Sequence, residues 1–245
     1  PSPDPLELRN YFKTTFRNIL RHKGYSFINI FGLAIGLACA FFIVIWMQDE
    51  VNTDRFHEDS DRLYSVMRHS TFGGNKGTTT SIPKPLAAAL VENYPEVENT
   101  VLISWEMEVL LGLEDNGLRS AARYVGEDFF SVFSLPMAIG DPATALVTPE
   151  SVVISASLAT TYFGADWRTR TDILGTVFNL ENRLDVMLTG VFEDIPAASS
   201  IEFDFVIPME EYIRRNEWTE EWSNNGLQMV ARLVKDTDLT AFNAK

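Results

Sequence analysis

Residues 23–50 read KGYSFINIFGLAIGLACAFFIVIWMQDE, and this stretch divides the chain into two environments. From Gly24 to Gln48 no residue is charged, and between Phe27 and Met47 only Asn29 is strongly polar. At about 1.5 Å per residue, such a run reaches roughly 30 Å, the hydrocarbon thickness of a bilayer. Buried core helices seldom run this far without a charge, so the pattern predicts one transmembrane helix over residues 26–48. Trp46, near the far end, suits an interfacial anchor. The apolar character continues through Ala40–Trp46, beyond the short apolar region of a cleaved signal peptide. Gly36-Leu37-Ala38-Cys39 has Gly36 where a lipidation signal needs a branched aliphatic residue.

The flanks orient the helix. Arg9, Lys13, Arg17, Arg21 and Lys23 precede it, whereas Asp49, Glu50, Asp54, Glu58, Asp59 and Asp61 follow it. The positive-inside rule puts residues 1–25 in the cytoplasm and everything after about residue 49 outside, which in a didermal bacterium means the periplasm. Arg9, Lys13, Arg17 and Arg21 recur every four residues, while Leu8, Phe12, Phe16, Ile19 and Leu20 take another face. That periodicity predicts an amphipathic helix on lipid headgroups, with a turn into the membrane at Gly24. Within the span, Asn29, Gly32, Gly36 and Ala40 line up small or hydrogen-bonding residues on one stripe, where another helix could pack closely.

The formal charge is −14, but residues 1–25 hold five Lys/Arg against two Asp/Glu, leaving −17 on the rest. So acidic a body repels phosphate backbones, which excludes nucleic acid as a partner. The single cysteine, Cys39, excludes a disulfide within the chain. The opening Pro1-Ser2-Pro3-Asp4-Pro5 and the stop at Lys245 give the expectation of an amino-terminal fragment of a longer protein.

Beyond the span the pattern alternates between strand and helix. Arg62–Arg68 alternates as a strand, and a Gly/Thr-rich loop is expected over 73–81. An Ala-rich helix over 86–93 follows Pro83 and Pro85 and is closed by Pro95. Val97–Leu113 keeps Val101, Ile103, Trp105, Met107, Val109 and Leu111 on one parity, predicting one long arm of a hairpin with 118–125. A helix over 127–133, a strand over 151–154 and a Ser155-capped helix over 157–163 come next. Strands over 176–180, 184–192, 201–207 and 227–234, with a helix over 209–215, complete an α+β domain.

No catalytic set emerges. Gly73-Gly74-Asn75-Lys76-Gly77-Thr78 lacks the spacing of a phosphate-cradling loop, and no serine sits in G-x-S-x-G. His22, His57 and His69 have no metal-ligand spacing, so neither metal nor cofactor is expected. Glu210-Glu211 and Glu220-Glu221 read as solvated helix faces. Trp218, Trp222, Phe203 and Phe205 read as a core cluster, with a partner surface as the alternative.

The stretch RNYFKTTFRNILRHKGYSFINIFGLAIGLACAFFIVIWMQDE (9–50), continuing into DEVNTDRFHEDSDRLYSV, resembles the opening of FtsX-like ABC-transporter permeases of Bacteroidetes-type bacteria. VGEDFFSVFSLPMAIGDPATAL, SVVISASLATTYFG, ILGTVFNL and LTGVFEDIPAASSIEFDF resemble successive blocks of a MacB-like periplasmic core domain. The resemblance implies a mixed α/β domain over 49–245, a porter-like part with a smaller subdomain inserted near 125–185. It implies a non-enzymatic permease subunit of the cell inner membrane that works as a homodimer or a fused pair of homologous halves. The resemblance further implies a separate cytoplasmic ABC ATPase, admits a periplasmic adaptor, and suggests mechanotransmission that drives export, extraction or efflux. The alternative is a single-span sensor, a kinase or chemoreceptor, with an outer ligand-binding domain.

Overall fold

The computed structural model describes residues 5–57, 59–114, 116–196 and 199–245. The chain divides into two compact units, Pro1–Thr53 and Asp54–Lys245.

The first unit is two helices, α1 (Pro5–Arg21) and α2 (Lys23–Asn52). They are separated by His22, at φ −116° and ψ 51°. The break falls there and not at Gly24, which lies inside the first turn of α2. Glycine in a helix costs only about 1 kcal/mol relative to alanine, so it permits a turn without imposing one. The 30 residues of α2 extend about 45 Å. Their apolar side chains face outward all round: Phe27, Leu33, Phe41, Phe42 and Ile45 are each more than half exposed. A helix apolar on every side and covered by none of the described residues is suited to hydrocarbon, not water. Thr53 closes it, its amide and hydroxyl both donating to the Asp49 carbonyl at 3.1 Å.

The second unit is β-rich. In chain order it holds β1 (Leu63–Ser65), β2 (Arg68–Phe72), β3 (Asn75–Thr79), α3 (Pro85–Asn93), β4 (Val97–Ile103), β5 (Met107–Leu113) and β6 (Asn116–Val125). Then come α4 (Phe129–Phe133), β7 (Met137–Ile139), β8 (Ser151–Ser155), α5 (Ala156–Phe163), β9 (Val177–Leu180) and β10 (Leu184–Phe192). The last elements are β11 (Phe205–Pro208), α6 (Met209–Arg215), β12 (Gln228–Leu233) and α7 (Leu239–Asn243).

Ten strands share one sheet, ordered β1-β12-β4-β6-β11-β8-β10-β9-β5, with β7 on β10. Because β5 also pairs with β6, the circuit β6-β11-β8-β10-β9-β5 closes on itself, while β4, β12 and β1 extend as an open wing. Closure removes the edge strands that would otherwise be sticky. The parallel pair β8–β10 is joined through α5 and β9, and Ser155 caps α5 by accepting the Leu158 amide at 3.2 Å.

Two sequence expectations change here. The arm expected from Val97 to Leu113 is two strands, parted at Ser104–Glu106. Ser104 grips β6 twice, its amide donating to the Tyr124 carbonyl (2.8 Å) and its hydroxyl accepting the Tyr124 amide (2.9 Å). Past that grip the strands diverge, β4 to β12 and β5 to β9. Parity survives but destination does not. Val101 and Ile103 enter one core with Phe129, Phe130 and Phe192, and Val109 and Leu111 enter another with Trp167, Phe178 and Phe205. Each such fully buried side chain contributes about 1.5–3 kcal/mol.

The loop expected over 73–81 contains instead the return strand of a hairpin. Gly73 (φ 57°) and Gly74 (φ 84°) form a tight reversal between Phe72 and Asn75, with both central residues in the left-handed region that glycine enters freely. Repeated glycines and threonines concealed that strand from a composition-based reading.

Candidate functional site

Immediately after Thr53 the chain makes a short, tightly held segment with several long-range anchors to the rest of the domain. Two residues at left-handed φ, Asp54 (61°) and Asp59 (58°), fold it back on itself. The Asp54 carboxylate accepts the Ser200 amide at 2.8 Å. His57 is buried, and its Nδ1 donates to the Phe133 carbonyl at 2.5 Å. Its ring lies between Phe56, 4.0 Å away between centroids, and Phe133, at 5.2 Å. Arg62 donates from Nε to the Leu233 carbonyl (2.8 Å) and forms ion pairs with Asp59 and Glu98. Four distant parts of the chain, near residues 98, 133, 200 and 233, are thereby tied to the segment that opens the second unit.

Burial lowers the His57 pKa, against the raising influence of the Phe133 carbonyl bond and of Asp54. The imidazole is therefore held neutral, as an uncharged N–H donor beside phenylalanines. Next to it lies a cavity of about 140 Å³, lined by Asp54, His57, Leu63, Phe133, Ile201 and Val230 among others. Its walls are mainly apolar and no catalytic pair converges on it. The arrangement is an anchor, and its chemistry is mechanical.

A second clamp holds the two cores together. Arg123, on β6, is buried and donates to the carbonyls of Glu202 (3.1 Å) and Ser104 (3.0 Å) and to Gln228 Oε1 (3.3 Å). Desolvation lowers its pKa, countered by Glu106. These partners fix the point where β4 and β5 part.

The residues singled out from sequence fall as follows. Arg9, Lys13, Arg17 and Arg21 are all exposed along α1, on a stripe that turns slowly because four residues overshoot one helical turn. Asn29, Gly32, Gly36 and Ala40 share one side of α2, and a side chain built at Gly32 or Gly36 would meet nothing within 4 Å. His57 and His69 are separate, the latter exposed and bonded to Thr78. Among the described residues no three His, Cys, Asp or Glu side chains gather as a metal site.

Two expectations fail. Glu211 is not on a solvated face: it is buried on α6, held by Arg215 Nε at 2.5 Å and by Arg214 at 3.3 Å. The four aromatics are not one cluster. Phe203 and Phe205 enter opposite cores, as two residues of one parity should not in a regular strand, and β11 indeed begins only at Phe205. Trp218 and Trp222 are exposed. His57 was missed as an anchor, although a lone phenylalanine and histidine inside an acidic stretch were the available signal.

Residues 26–245 match the family model described as the MacB-like periplasmic core domain. The chain belongs to that family. The match takes in most of α2 as well as the whole second unit. No curated protein sequence matches the chain. Among solved structures, a domain of a protein assigned as a permease from Porphyromonas gingivalis superposes with a TM-score of 0.64 at 23% identity, covering 75% of this chain and 78% of that one. The periplasmic region of MacB from Actinobacillus actinomycetemcomitans gives 0.52 at 13% identity, over 75% and 79%. The extracellular domain of the noncanonic ABC-type transporter YknZ from Gram-positive bacteria gives 0.52 at 12%, over 73% and 87%. At these identities the likeness is one of fold. The MacB-like family points to an ABC-transporter permease, a non-catalytic component whose partner is a cytoplasmic ATPase.

Proposed function

We propose that this MacB-like chain belongs to a mechanotransmitting permease: α2 carries movement from a cytoplasmic ATPase across the inner membrane to the periplasmic domain, which exports or extracts a substrate. In this reading residues 1–25 are cytoplasmic, 26–48 cross the bilayer and 49–245 are periplasmic, with a smaller subdomain inserted near 125–185. Arg9, Lys13, Arg17 and Arg21 rest on lipid headgroups. Asn29, Gly32, Gly36 and Ala40 receive a neighbouring helix, from a second copy or a fused homologous half. A periplasmic adaptor completes the assembly.

The observation that carries this reading is the anchored segment 54–62. A flexible tether would suffice to hold a binding domain at a membrane. A segment tied to four distant parts of the domain makes α2 a lever, because displacement of its end must move the core around Phe133 and Ile201 together with strands β4 and β12. Inserting three glycines between Thr53 and Asp54 tests it in the full-length transporter. ATPase turnover should stay near wild type while transport falls at least about tenfold, since slack absorbs the stroke. Transport that survives the insertion would refute mechanical coupling through this joint.

A further inference from the structure

We propose that the β2–β3 hairpin and the adjacent segment 216–225 form one self-complementary surface through which two copies of this domain pair outside the membrane. The inference rests on the permease reading above and assigns its dimer contact.

The hairpin stands apart from the ten-stranded sheet, and among the described residues its strands pair only with each other, from Arg68↔Thr79 to Phe72↔Asn75. Its described side chains are mostly exposed. A lone two-stranded hairpin is marginal in water, and its two open edges invite a partner. Its charge is also anomalous. Residues 54–245 carry a net −15, yet residues 68–79 hold Arg68 and Lys76 and no carboxylate. Neither cation is in an ion pair among the described residues, whereas ten of the domain's other cations are.

Segment 216–225 has the opposite character. It contains Glu217, Glu220 and Glu221 and no Lys or Arg, with Trp218 and Trp222 exposed by 39% and 59%. Acidic residues beside the open Trp222 indole suit a cationic partner. The two features share one base. Ile82, just past the hairpin, exchanges backbone hydrogen bonds with Gly226 and Leu227, Val66 just before it bonds to Met229, and Lys84 pairs with Glu220. One end of the sheet thus presents a cationic arm beside an acidic, aromatic segment. A surface of a single sign would take a foreign partner of the other sign. A surface with both signs side by side matches its own copy under a two-fold rotation, the arm of each protomer lying on the 216–225 segment of the other.

The test uses the full-length protein in native membranes, with Cys39→Ser to remove the native thiol. Lys76→Cys with Glu221→Cys, mildly oxidised, should yield a disulfide at dimer mass, while the control pair Asp172→Cys with Asp185→Cys stays at monomer mass. Arg68→Glu should lower the cross-link yield roughly tenfold, and adding Glu217→Arg should restore it. The native mass of the wild type is measured in parallel. A dimeric wild type without the disulfide between copies overturns this interface and leaves the permease reading intact. A disulfide closed within one chain, or an adduct to another protein, overturns it as well. A monomeric wild type with no associated ATPase overturns both.

Discussion

At His57 burial opposes protonation, and the sign of its effect on stability follows. The folded pKa lies below the ordinary value, so between the two the unfolded chain binds more protons than the folded one. The stabilising contribution is therefore complete above about pH 6.5 and is lost as pH falls below it toward the folded pKa. Urea midpoints should drop between about pH 7.5 and about pH 5.5 in the wild type, and the drop should flatten in His57→Gln. Arg123 makes a different kind of demand. Arg123→Met leaves two carbonyls and the Gln228 amide oxygen without their donor and should cost about 2–4 kcal/mol in urea unfolding. Arg123→Lys should recover little, because one ammonium cannot reach three acceptors laid out for a guanidinium fork. Wild-type stability in the lysine variant would show that the fork is not what matters. In the sequence Arg123 carried no signal of its role, and His57 only its place beside a lone phenylalanine in an acidic stretch. His57 and Arg123 act through carbonyls at positions 133, 202 and 104, and such partners exist only once the chain has folded.

At the scale of elements, legibility tracked how local the cause was. The apolar helix α2, α3, the Ser155 cap and the β9–β10 hairpin rest on periodicity, proline placement or a turn between neighbours, and the structure has them within a few residues of their expected bounds. The break between β4 and β5 does not, because it is set by which distant strand, β12 or β9, each half joins. The small-residue stripe of α2 is proposed to receive a helix from outside this chain. Gly36→Leu fills the open space over the stripe and should reduce co-purification of differently tagged copies, or of the homologous half, at least about fivefold while membrane insertion is unchanged. Equal recovery of both would mean that the stripe faces lipid.

For the whole molecule, the account depends on which side of the membrane each unit occupies. The α+β character of the outer domain and its MacB-like blocks were legible in sequence, and the family match and the folds of three solved neighbours agree with them. Closure of six strands into a circuit was not, since it depends on the second pairing of β5. In the proposed function, what joins these parts is one helix, uncharged from Gly24 to Gln48, between a basic and an acidic flank. Its direct test places single cysteines in a Cys39→Ser background of the full-length protein. In intact spheroplasts a membrane-impermeant maleimide should label Lys235→Cys, whereas Arg9→Cys should react only after the membrane is opened. The reverse pattern, or labelling of both positions in intact cells, would contradict the account.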